Sequence, residues 1–166
     1  ALYEQLLTSI HSLDDLKRAD LPNMLRRAIA VKADIVSKDE KEQNIRSFLN
    51  FGHTLGHAIE AVLGYGQMSH GEAIAVGMLF AMRMSSDYYQ KALPVEPLRK
   101  WLKSLGYKTE IPHELNADDL HNAMKKDKKV RNGTIHMVLL KEVGQVENVA
   151  IDDKMMRSHL TKELGM

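Results

Sequence analysis

The sequence contains no cysteine. That excludes disulfide staples, thiolate metal sites and cysteine nucleophiles, and it fits a reducing compartment. No charge of one sign dominates: 23 Lys and Arg stand against 22 Asp and Glu, a formal +1. The chain therefore has no global field to recruit nucleic acid or a membrane surface. Its apolar runs are short and interrupted by charge, so none reads as a membrane span. The opening "ALYEQLLTSIHS" lacks the basic start and continuous apolar centre of a signal peptide. It also lacks an initiator Met and begins in mid-pattern, as expected of a chain that starts inside a longer protein. There is no Gly-rich strand-to-helix phosphate motif, no internal repeat and no low-complexity segment.

What is present suits one soluble globular domain: 166 residues, 44% hydrophobic and 27% charged, enough to bury a core without staples. Most of it reads as helix. "DLPNMLRRAIAVKADIVSKD" offers Asp20 as N-cap and Pro22 in the first turn, with Met24, Ala28, Val31 and Ile35 at helical spacing. "SFLNFGHTLGHAIEAVLG" keeps a helical period up to Gly64, a stop signal. "SHGEAIAVGMLFAMRMSSDYYQ" is apolar on nearly all sides and predicts a buried helix. Shorter helices are expected in "PVEPLRKWLKSLG", in "NADDLHNAMKKD" with Asn116 as cap, and in "DDKMMRSHLTKELG". Near 130–150 the pattern changes. The Asn132-Gly133 pair beside "TIHMVLL" predicts a small β-hairpin. The ten methionines read as core filler.

The chemistry concentrates in "NFGHTLGHAIEAVLGYGQMSHGEA", which holds three of the eight histidines. His53 and His57 are four apart and share a helix face, the spacing of a metal-binding pair. The glutamate of HExxH is missing, since the pattern is GHxxGHxxE. Gly52 and Gly56 flank the pair, each at a helix cost of about 1 kcal/mol, so something is expected to approach the backbone closely there. A catalytic zinc takes three protein ligands. From spacing alone His53 and His57 are the pair, with Glu60, Glu72 and His70 competing for third place. The competing reading is a set of core or surface histidines with no ligand role.

The stretches "VKADIVSKDEKE", "IRSFLNFGHTLGHAIEA", "HGEAIAVGM" and "MKKDKKV", in that order, resemble the C-terminal domain of the 3-dehydroquinate synthase family. The resemblance runs over nearly the whole chain. It implies a mainly α, multi-helix domain of the dehydroquinate synthase-like fold, spanning 1–166, with the small hairpin near 130–150. It also implies that an N-terminal NAD-binding domain is absent. The superfamily includes glycerol dehydrogenases and iron-dependent alcohol dehydrogenases.

The resemblance reassigns the histidines. It implies that His53 and His70 are the metal ligands, for Zn2+ or Co2+. The family's third ligand is a glutamate from a segment preceding "LYEQLL". His57 becomes a catalytic residue in proton transfer, with Glu42 an acidic residue near the site. Lys32, Arg46, Asn50 and either Lys128 or Lys129, with Lys129 preferred, become substrate-binding positions. Arg46 and Asn50 are expected to share a helical face with the histidines. Lys32, Glu42 and the "KKDKKVR" run would otherwise be solvated charges.

The implied activity is conversion of 3-deoxy-D-arabino-heptulosonate 7-phosphate to 3-dehydroquinate and phosphate, a step of the shikimate pathway toward aromatic amino acids. It proceeds by oxidation with bound NAD, phosphate loss, re-reduction, ring opening and aldol closure. A phosphate and a carboxylate on the substrate call for Lys and Arg. A cytoplasmic, homodimeric full-length enzyme is implied, with a small-molecule substrate and neither nucleic acid nor membrane as partner. The 166 residues alone are expected to be inactive. The alternatives are a related sugar-phosphate cyclase, a metal-dependent polyol or alcohol dehydrogenase, and a non-catalytic helical binding module.

Overall fold

The computed structural model describes residues 2–41, 44–64, 66–126 and 134–165. Eight α-helices and one hairpin make up the regular structure of these residues. They are α1 (Leu2–Ser9), α2 (Leu13–Arg18), α3 (Leu21–Lys38), α4 (His53–Leu63), α5 (His70–Tyr89), α6 (Val95–Ser104), α7 (Ala117–Lys126), β1 (Ile135–Glu142), β2 (Gln145–Ile151) and α8 (Asp153–Glu163). A 3₁₀ segment, Ile45–Asn50, precedes α4. The mainly α reading with one hairpin holds, and no described helix is long and apolar enough to cross a membrane.

The organising element is α5. Ser69 caps it with a reciprocal capping box: the Ser69 side chain accepts from Glu72 N, and the Glu72 carboxylate accepts from Ser69 N. Ten of its residues are buried, from Ala73 to Ser85. Around it lie α4, α6, α8 and β1. One core gathers Leu55 and Ile59 of α4, Phe80 and Met84 of α5, Met124 of α7, Met137 and Leu139 of β1, and Met156 and Leu160 of α8. The buried methionines fill it as the composition suggested. Ser85 ties the sheet to α5 by accepting from Leu140 N at 2.9 Å. The expected caps also form: Asp20 accepts from Asn23 N on α3, and Asn116 accepts from Asp119 N on α7.

Two expectations need correction. The run "SFLNFGHTLGHAIEAVLG" is not one helix. Gly52 adopts φ 82°, a left-handed conformation, and separates the 3₁₀ segment from α4. The hairpin is real, but it turns at Val143–Gly144 between the paired Glu142 and Gln145, and Gly144 takes φ 95°. The Asn132-Gly133 pair lies outside the described residues, before β1. The helix α3 forms as expected; of its residues only Met24 is buried, and Val31 is 59% exposed.

Candidate metal and substrate site

Two helix starts meet at the histidines. α4 presents His53 at its first residue and His57 one turn later, while α5 begins with His70. One ring nitrogen from each of the three lies within 4.8 Å of the others. A tetrahedral ion bound at about 2.0–2.1 Å separates its donors by roughly 3.4 Å. The three rings therefore need only small rotations to close on one ion.

What brings the helix starts together is the glycine set. A Cβ on Gly77 would collide with the carbonyl of Gly52, and one on Gly52 would lie 2.7 Å from Met78 N. A Cβ on Gly56 would lie 2.6 Å from Ile74 Cδ1 and 3.1 Å from the Ala73 carbonyl. The close approach anticipated at Gly52 and Gly56 is thus made by the α5 backbone. Gly77, which the sequence reading passed over, supplies the other side of the crossing.

Hydrogen bonds set the ring faces. His53 Nδ1 lies 3.2 Å from the Phe51 carbonyl, which can only accept. His70 Nδ1 lies 3.0 and 3.2 Å from the two Glu60 carboxylate oxygens. In a neutral ring each Nδ1 donates to that acceptor, which makes Nε2 the nitrogen suited to a ligand role. The donor set therefore fits a borderline ion such as zinc. His57 differs. It lines a cavity of about 500 Å³ between α4 and α7, with Thr54, Asp119, Asn122 and Lys126. The polar α7 side of that cavity had no signal in the sequence beyond its helical spacing.

The two glutamates weighed as third ligands have other partners. Glu72 serves the α5 cap, accepting from Ser69 Oγ at 2.7 Å, and these bonds hold its carboxyl below the ordinary value. Glu60 stands behind His70, on the Nδ1 side. The pair chosen from spacing, His53 and His57, does converge, and His70 joins it.

The substrate-binding candidates sit apart from the cavity's described lining. Lys32 is exposed on α3. Arg46 is anchored at the end of α3: its backbone N–H donates to Asp39 at 2.9 Å and its Nη1 donates to the Glu40 carbonyl at 2.5 Å. Asn50 ends the 3₁₀ segment, partly buried. Arg46 and Asn50 therefore share no continuous helix face with the histidines, because Gly52 breaks the path. Glu42, Lys128 and Lys129 lie outside the described residues.

Residues 1–130 match the family model described as 3-dehydroquinate synthase C-terminal. A 3-dehydroquinate synthase from Halalkalibacterium halodurans is 47% identical over 164 residues, covering 99% of this chain and 45% of the relative. One from Bacillus mycoides is 49% identical over 153 residues, covering 92% and 42%. The chain thus spans less than half the length of the curated relatives it matches. Among solved structures, 2-deoxy-scyllo-inosose synthase complexed with carbaglucose-6-phosphate, NAD+ and Co2+ superposes with TM-score 0.72 at 25% identity, over 86% of this chain and 41% of that one. A 2-epi-5-epi-valiolone synthase from Streptomyces hygroscopicus, with NAD+ and Zn2+ bound, shares the fold at TM-score 0.70 and 20% identity, over 86% and 39%. The chain belongs to the 3-dehydroquinate synthase family, by its C-terminal domain.

Proposed function

We propose that the chain is the metal- and substrate-binding domain of a 3-dehydroquinate synthase, acting on 3-deoxy-D-arabino-heptulosonate 7-phosphate within the full-length protein. The observation that carries this is the convergence of His53, His57 and His70 at the α4–α5 crossing. His53 and His70 would hold a zinc or cobalt ion through Nε2, with a glutamate from outside this chain as third ligand. The ion would supply Lewis acidity toward a substrate hydroxyl or carbonyl. The solved 2-deoxy-scyllo-inosose synthase, with NAD+ and Co2+, supports both cofactors; NAD would be held mainly by the part of the protein outside this chain.

His57, facing the cavity, moves a proton to and from the substrate, a task suited to imidazole near neutral pH. Arg46 binds an anionic substrate group from a fixed position, because its backbone is tied to Asp39. Asn50, Lys32 and Lys129 or Lys128 are assigned to substrate, and Glu42 to catalysis as an acidic residue near the site, on the resemblance alone. So are cytoplasmic location and a homodimeric full-length enzyme. The relatives at 47% and 49% identity favour this reading over another sugar-phosphate cyclase.

The test is product analysis. Full-length protein with substrate, NAD and zinc should release phosphate and 3-dehydroquinate without net NADH. The 166 residues alone should release none. NADH accumulation from glycerol would point instead to a polyol dehydrogenase.

A further inference from the structure

We infer that Glu60 is a positioning residue for the metal site: its carboxylate fixes the tautomer and direction of the His70 ring. The inference rests on the reading of His70 as a ligand and extends it to a residue with no assigned role.

Without Glu60, His70 has no fixed tautomer. It is the first residue of α5, and its side chain is 58% exposed, with the His53 and His57 rings beside it; none of these contacts chooses which nitrogen carries the proton. A neutral imidazole in that position could carry its proton on either nitrogen. Half the tautomers would offer the wrong atom to an ion. Glu60 removes that freedom. Its side chain is 29% exposed, less than that of the histidine it holds. Both oxygens lie within hydrogen-bond distance of Nδ1, at 3.0 and 3.2 Å. An ionised carboxylate only accepts, so Nδ1 must donate and Nε2 is left for the metal.

The placement follows from the fold. Glu60 lies seven residues after His53 and three after His57, two turns along the same face of α4. The crossing built on Gly52, Gly56 and Gly77 brings that face against the start of α5. One helix therefore presents two of the three histidines and also aims the third. The other nearby carboxylate, Glu72, is committed to Ser69.

The experiment uses full-length protein, metal-free and then titrated with Co2+, as wild type, Glu60→Ala, Glu60→Gln and His70→Ala. Histidine ¹⁵N spectra of the metal-free proteins report the His70 tautomer. Melting curves confirm that each variant is folded. We expect Glu60→Ala to weaken Co2+ binding about 10–100-fold, the range for such outer partners, and to lose the single Nδ1–H tautomer of His70. Glu60→Gln keeps an oxygen that can accept from Nδ1–H, so it should retain the tautomer and recover most of the affinity. A Glu60→Ala protein with an unchanged His70 tautomer, or with unchanged Co2+ affinity, overturns the inference, and loss of binding in His70→Ala upholds the reading of the site on which it rests. If His70→Ala binds Co2+ as wild type does, the reading of the site fails, and this inference falls with it.

Discussion

Helices α3 and α5 are of similar length, 18 and 20 residues, and both carry apolar side chains at helical spacing. Their fates differ. α5 buries ten residues, whereas α3 buries only Met24 and leaves Leu25, Ile29 and Val31 at 60%, 65% and 59% exposed. The difference lies in their neighbours. α5 is crossed at backbone contact by α4, backed by β1 and met by α8 through side chains, while α3 packs mainly against the 3₁₀ segment. Periodicity tells that a segment is helical and which face is apolar. It does not tell whether anything covers that face. The candidate site sits beside that covered stretch, where the close α4–α5 crossing fixes the two helix starts that carry its histidines.

The sharpest way to break this contrast is Gly77→Ala. Alanine is the better helix former by about 1 kcal/mol, so on propensity alone the change should stabilise. The collision with the Gly52 carbonyl reverses the sign. We expect a loss of about 3 kcal/mol, the upper end of overpacking costs, together with weakened metal binding. A thermal melt and a Co2+ titration check both. A stabilised variant would show that α4 and α5 do not cross as closely as described.

A milder test at the same end is Ser69→Ala. It removes the acceptor for Glu72 N and should cost about 1 kcal/mol in chemical denaturation. At the other end, Ile29→Ser on α3 should change stability by no more than about 0.5 kcal/mol, as for an exposed surface site. A cost of 2 kcal/mol or more would mean that α3 is covered after all.

The smallest effect concerns pH. Asp153, which opens α8, is held at about 2 against an ordinary 3.8, first by its bond to Lys125 and then by burial-opposed bonding to His121. A lowered carboxyl contributes stability above its unfolded value and loses it as pH falls. Asp153→Asn should therefore flatten the stability profile between about pH 4 and pH 2, where the wild type declines, and leave the slope at pH 5–8 unchanged. An unaltered acid limb in urea melts would remove Asp153 from that role.

Much of this was legible in the sequence because the signals are local. Asp20 and Asn116 cap as their neighbours demand, and Gly64 stops α4 with its N–H on the Glu60 carbonyl. Two misreadings concern single backbone turns. The break at Gly52 turns on one positive φ, which a helical apolar period conceals. The hairpin turn is marked by Gly144 rather than by the stronger Asn-Gly signal, because strand pairing across Ile135 and Ile151 sets the register. The glycines were correctly read as close-approach positions, but their partners, Ala73 to Met78, lie on the next helix, and pattern alone does not name them. The histidine grouping was visible as spacing, yet His70 joins through the tertiary crossing. That Glu60 faces Nδ1 rather than the metal side is a matter of angle, which no spacing rule carries.

The central claim is a division of labour among the three histidines, and zinc titration tests it most directly. Full-length wild type, His53→Ala, His70→Ala and His57→Ala would be followed by calorimetry and by imidazole ¹⁵N shifts. The account predicts that binding is lost in His53→Ala and His70→Ala and retained in His57→Ala, with zinc-induced shifts at Nε2 of His53 and His70. Loss of zinc binding in His57→Ala, or its persistence in His53→Ala, would contradict it.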